Sequence, residues 1–172
     1  MHTKSASMTG DQSEVPLLDE ANADFIQHHV AINVAACGAG NVPALTRALG
    51  CRVSPDRRRI TVFVSPARAE GLLQCLHTNG AIAAVFSRPS THQTLQLKGV
   101  DAVAAPLADG DRERIAAYRD SFVEELIKIG HSRAFAAAVI SALTDEAVGV
   151  GFTPTAAFVA TPGPNAGQRL KG

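Results

Sequence analysis

From Val30 the chain alternates, with Val30, Ile32, Val34 and Ala36 on one face and Ala31, Asn33 and Ala35 on the other. That period of two predicts a strand, which CGAGN then breaks. The short segment ALTRALGCRV ends at the polar SPDRRR turn, and ITVFV at 60–64 is β-branched and aromatic, so the two read as a hairpin pair. In PARAEGLLQCLHTNG the apolar Ala69, Leu72, Leu73 and Leu76 recur at helical spacing. Ser65 and Pro66 supply a cap and a first-turn proline, and Gly80 a stop. AIAAVF and TLQLKG, separated by the RPST turn and running on into VDAVAAPL, predict a second pair of strands. A long helix then follows, capped by Asp109 or Asp111, with the stripe Ile115, Tyr118, Phe122, Leu126 and Ile129 and a stop at Gly130. A further helix is expected from Ser132 to about Leu143, and a closing strand before a Pro/Gly loop in TPTAAFVATPGPNAG.

These elements make about six short strands, with one helix after the third, two more after the fifth, and a last strand. Such an order is not the strict strand–helix alternation of a doubly wound sheet, and it predicts a mainly β, α+β domain: a small barrel or half-barrel flanked by helices. No repeat or linker divides it. Residues 1–14 are polar and aperiodic and are expected to be a disordered leader, with a single domain over 15–172.

Charge narrows the function. Sixteen Lys and Arg balance sixteen Asp and Glu, which gives no reason to expect a nucleic-acid or membrane-surface partner, so any basic site must be local. The start has no apolar signal core and no stretch has the ~20 apolar residues of a span. Cys37, Cys51 and Cys75 form no CxxC pair and are expected to be reduced thiols in a cytoplasmic protein. His28, His29, His77, His92 and His131 match no zinc or haem-attachment spacing, and no metal is expected; as strand neighbours, His28 and His29 would face opposite ways. Hydrolase, phosphate-loop and dinucleotide fingerprints are absent from the sequence.

Two places can hold an anion. Arg68 falls third in the predicted helix capped by Ser65, where a capping box would place Glu or Gln. A cation there opposes the helix dipole unless an anion completes the site, or it is simply a solvated surface arginine. The second place is the strand at 94–98, whose Thr94, Gln96 and Lys98 share one face, just after Ser87, Arg88, Ser90 and Thr91. That row either faces water or meets the edge of a flat heterocycle and its phosphate.

The succession ITVFVSPARAEGLLQCL, AIAAVFSRPSTHQTLQLKG, a helical pair and TPGPNAG resembles the flavin mononucleotide (FMN) binding split-barrel family typified by pyridoxamine 5'-phosphate oxidase, over roughly residues 27–168. The resemblance implies a split β-barrel and an FMN-binding oxidoreductase of unknown substrate, or a non-catalytic flavin or haem binding or storage protein on the same fold; a deazaflavin-dependent reductase is a further variant. It implies a homodimer with flavin at the subunit interface. It also implies cofactor contacts from Ser65, Arg68, Arg88 and Lys98 to the phosphate and from Thr94 and Gln96 to the ring or ribityl chain, with Ser87 and Arg47 as further polar contacts. The oxidase's Arg-Lys pair near the first phosphate turn and its basic C-terminal signature are missing. The TPGPNAG loop either reverses the chain or, as in relatives of this fold, lies near the flavin.

Overall fold

The computed structural model describes residues 15–141 and 146–171. The expected leader, 1–14, and the expected last turn of the second long helix lie outside them. Nine strands and four helices stand among the described residues: α1 (Glu20–Phe25), β1 (Ala31–Cys37), β2 (Pro43–Arg47), β3 (Cys51–Val53), β4 (Ile60–Val64), α2 (Glu70–Asn79), β5 (Ile82–Ser87), β6 (Thr94–Gly99), β7 (Val103–Ala105), α3 (Asp111–Lys128), α4 (Arg133–Ser141), β8 (Val148–Phe152) and β9 (Ala156–Val159). They build two antiparallel sheets, β2-β1-β5-β6-β9 and β3-β4-β8-β7, which face each other without closing a barrel.

The core between the sheets is the inward half of each alternation: Ile32, Val34, Phe86 and Leu97 from one, Ile60, Val62, Val64, Val150 and Phe152 from the other. Phe63 points the opposite way on β4 and gathers Leu49, Phe122, Leu126, Ala136 and Ile140, so α3 and α4 close the back of the second sheet. Arg52 seats α3 by donating from Nε to the buried Asp111 carboxylate at 2.9 Å, and the Ala108 N–H donates to the same carboxylate at 3.0 Å. No described helix is long and apolar enough to cross a membrane.

The count of about six strands rises to nine for identifiable reasons. The run 44–53, read as one arm of a hairpin, is two strands in different sheets: β2 pairs with β1, and β3 with β4. The corner between them passes through Gly50 at φ 133°, a conformation open to glycine. β8 has the sequence VGVGF, whose alternate glycines hide a strand from propensity. A Cβ at Gly149 would collide with Thr61 Cγ2 at 2.9 Å, and one at Gly151 would press on Arg59 Nε at 3.2 Å. The helix expected at Pro66 begins at Glu70. The Ser65 carbonyl accepts from the Arg68 and Ala69 N–H groups at 3.1 and 2.9 Å, closing a single turn that precedes α2. Arg68 is therefore a residue of that turn and not the third residue of the helix. His28 and His29 lie in the bend between α1 and β1, where His29 takes φ 58°, and are not strand neighbours.

Candidate functional site

The strand registers of the five-stranded sheet sort its outward side chains into rows. Asn33 is opposite both Arg47 and Val85, Val85 opposite Gln96, and Gln96 opposite Phe158, giving the row Arg47–Asn33–Val85–Gln96–Phe158. The next row, two residues along each strand, is Leu45–Ala35–Ala83–Lys98–Ala156. On the other side of the polar row Ala31, Ser87 and Thr94 are aligned. Arg47, Ser87, Thr94, Gln96 and Lys98, taken from three separate stretches of sequence, thus come to one face.

The far end of that face is hollowed into an open cavity of about 460 Å³. Its floor is small because Ala35, Ala81, Ala83 and Ala156 meet there, and Ala36, Cys37, Pro43, Ile82, Lys98, Gly99, Val100 and Thr155 form the rest of its lining. Lys98 is the one charged residue of that lining. Its Nζ stands 5.4 Å from the Phe158 ring centroid, a cation–π contact that leaves the ammonium exposed. The Lys98 carbonyl accepts from the Thr155 N–H at 2.8 Å, which fixes Thr155 beside it. Gly99 follows because a Cβ there would lie 2.7 Å from Phe152 Cδ2, where the two sheets touch.

At the other end the polar groups are already engaged. Ser87 Oγ and Thr94 Oγ1 share a hydrogen bond of 2.8 Å, and Thr94 Oγ1 also donates to the His92 carbonyl at 3.0 Å. Arg47 lies with its guanidinium 4.6 Å above the Phe122 ring, beside Tyr118, so α3 covers it. Burial pushes the Tyr118 phenol up to about 12, against the opposing pull of the Arg47 charge.

The remaining candidates stand elsewhere. Arg88 turns to the core side, its guanidinium 5.0 Å over Phe25, and so does not share a face with Lys98. Ser65 is buried and Arg68 exposed in the turn before α2. Cys37 is tied to the far end of that helix, where Asn79 Nδ2 donates to its carbonyl at 3.1 Å. The first turn of α2 lies against β2, where a Cβ on Gly71 would stand 3.6 Å from the Ala44 Cβ, and Ala44 adjoins Pro43 of the cavity lining. TPGPNAG reverses the chain: the Val159 N–H donates to Gln168 O at 2.9 Å and the Leu170 N–H to Ala157 O at 2.8 Å, so the tail covers the free edge of β9.

Sequence reasoning passed over Asn33, Cys37 and Thr155. Asn33 was visible as the one polar outward residue of the first alternation; the alanine floor was not, since it exists only through register between strands. No group of three or more His, Cys, Asp or Glu residues able to hold a metal occurs among the described residues.

No family profile and no curated protein matches the chain. Solved structures do. HupZ of Group A Streptococcus is similar at 17% identity and a TM-score of 0.52, over 87% of this chain and 99% of that one. An F420 reductase is similar at 13% identity and a TM-score of 0.50, over 81% and 98% of the two chains. A putative pyridoxamine 5'-phosphate oxidase from Lactobacillus delbrueckii has 12% identity and a TM-score of 0.48, over 83% and 93%. At these identities the likeness is one of fold alone, and the two facing antiparallel sheets with helices packed outside carry it: the chain has a split-barrel fold, shared with HupZ and the F420 reductase.

Proposed function

We propose that this protein binds FMN on the outward face of the five-stranded sheet, where two copies of the chain meet, and serves as an oxidoreductase of the pyridoxamine 5'-phosphate oxidase-like type. The observation that carries this reading is the pairing of a polar row with an alanine-floored cavity of about 460 Å³ whose lining has a single charge, that of Lys98. A flat apolar ring with an anionic tail suits such a place, and the volume falls in the ordinary range for small-molecule sites of ~300–1,000 Å³. Lys98 holds the phosphate and Gln96 meets the ring. Arg88 lies on the core side, outside that grip, and Ser65 and Arg68 belong to the turn that precedes α2. The fold likeness to an F420 reductase supports a flavin or a related deazaflavin as the class of cofactor.

The cavity lining contains no carboxylate and no imidazole. Its residues bind, orient and exclude water, while a bound flavin supplies the hydride or electron transfer. Titration of the purified protein with FMN, followed by flavin fluorescence, tests the reading. Saturable quenching is expected, with Lys98→Ala weakening it more than tenfold; protein that leaves FMN fluorescence unchanged at every concentration refutes it. Parallel titration with haemin distinguishes a haem-binding protein on this fold, which would give a Soret band and no flavin quenching.

A further inference from the structure

Asn33 is an unusual residue for its position. It occupies the middle of β1, an interior strand where asparagine is disfavoured, yet it is exposed on the outward face. Its carboxamide, like that of Gln96, makes no side-chain hydrogen bond among the described residues. Arg47, its neighbour in the row, is occupied by Phe122. Across the half-buried Val85, two strands away, stands Gln96. Two carboxamides thus rise from one row on either side of a flat aliphatic spacer, their backbones about 10 Å apart at a strand spacing of ~4.8 Å.

We infer that Asn33, together with Gln96, reads the pyrimidinedione edge of a flavin-type ring. A carboxamide offers two donors and an acceptor, and the edge of such a ring presents carbonyl, N–H and carbonyl in sequence. Each amide can therefore donate to one carbonyl, and either carbonyl oxygen can accept from the ring N–H. The placement agrees with the rest of the face. From Asn33 to Lys98 is two strands across and one row along, roughly 12 Å between backbones, which suits a ring at one end and a phosphate at the other. Haem lacks this edge, so the pair selects for flavins and deazaflavins against porphyrins. The inference rests on the proposed flavin site and adds to it the side chain that tells ring classes apart.

The test uses the whole chain and three probes: FMN, lumiflavin, which keeps the ring but lacks the ribityl phosphate, and N3-methyllumiflavin, whose edge donor is blocked. Wild-type protein is expected to bind lumiflavin at least tenfold more tightly than its N3-methyl form. Asn33→Leu should lose at least tenfold for FMN and lumiflavin alike and no longer distinguish the two lumiflavins. Lys98→Ala should lose affinity for FMN alone. Asn33→Ser, shorter but still polar, serves if the leucine variant does not fold, and should show the same loss of discrimination. If wild type binds FMN and the Asn33 variants bind every probe equally well, the role of Asn33 is overturned and the flavin site stands. If wild type binds none of the three, the flavin site itself falls.

Discussion

Gly80 shows how much a single residue decides here. It ends α2 at φ 65°, its N–H donating to Leu76 O at 2.9 Å, and a Cβ on it would stand 2.7 Å from the Val100 carbonyl at the rim of the cavity. Gly80→Ala therefore combines left-handed strain with a backbone collision, and about 2 kcal/mol of destabilisation is expected in a denaturant titration. That helix stop was readable from the sequence, because a glycine after a helical stripe has one common meaning. Gly99, Gly149 and Gly151 were not readable in the same way, since what a Cβ at each would meet is distant in sequence. The same division runs through the candidate site. Lys98 and Gln96 stood out as the polar half of an alternating strand, but that Arg88 turns inward over Phe25 while Lys98 faces outward depends on a turn whose geometry no period reveals.

At the scale of elements, the long helix was legible from its stripe and its stop, and α3 spans Asp111–Lys128, but its N-cap is Gly110 instead of Asp109 or Asp111, and Ile129 at the end of the stripe is exposed. What the stripe did not show is that α3 is fastened by its polar residues. Asp111 is buried and holds Arg52 at its first turn; Asp111→Ala strands that guanidinium and the Ala108 N–H, and a loss of about 2–3 kcal/mol is expected. Glu125 lies fully buried near the other end, accepting from the Ser90 N–H at 3.0 Å and from Lys128 Nζ at 3.3 Å. Burial alone would raise its pKa, but the hydrogen bonds from Ser90 and the Lys128 charge outweigh it and hold the carboxyl below its usual value. A carboxyl with a lowered folded-state pKa adds stability that is complete above the ordinary glutamate range and is lost as pH falls through the folded value. The gap in thermal midpoint between wild type and Glu125→Gln should thus be widest near neutrality and shrink on acidification; a gap independent of pH would show that the charge contributes nothing.

For the whole molecule, the decisive feature is a sheet face that one chain leaves open. The tail at 168–170 covers the β9 edge, and α3 and α4 cover the back of the second sheet, but Val42, Leu45 and Val100 around the cavity are 70%, 70% and 64% exposed. Large exposed aliphatic side chains beside an alanine-floored hollow are the kind of surface that protein–protein contacts cover. A second copy of the chain is the occupant that the flavin reading requires, because the open cavity becomes an enclosed one only when another surface lies over it. Leu45 sits at the edge of this face, in the row that ends at Lys98 and Ala156, and touches none of the internal core. Leu45→Arg should therefore leave the fold and its circular dichroism unchanged. Sedimentation velocity should then show wild type with the mass of two chains and Leu45→Arg with the mass of one, and FMN affinity should drop in step with the loss of pairing. A wild-type protein that sediments as a single chain with FMN bound would show instead that one copy holds the cofactor on an open face, and that the exposed aliphatic cluster has another purpose.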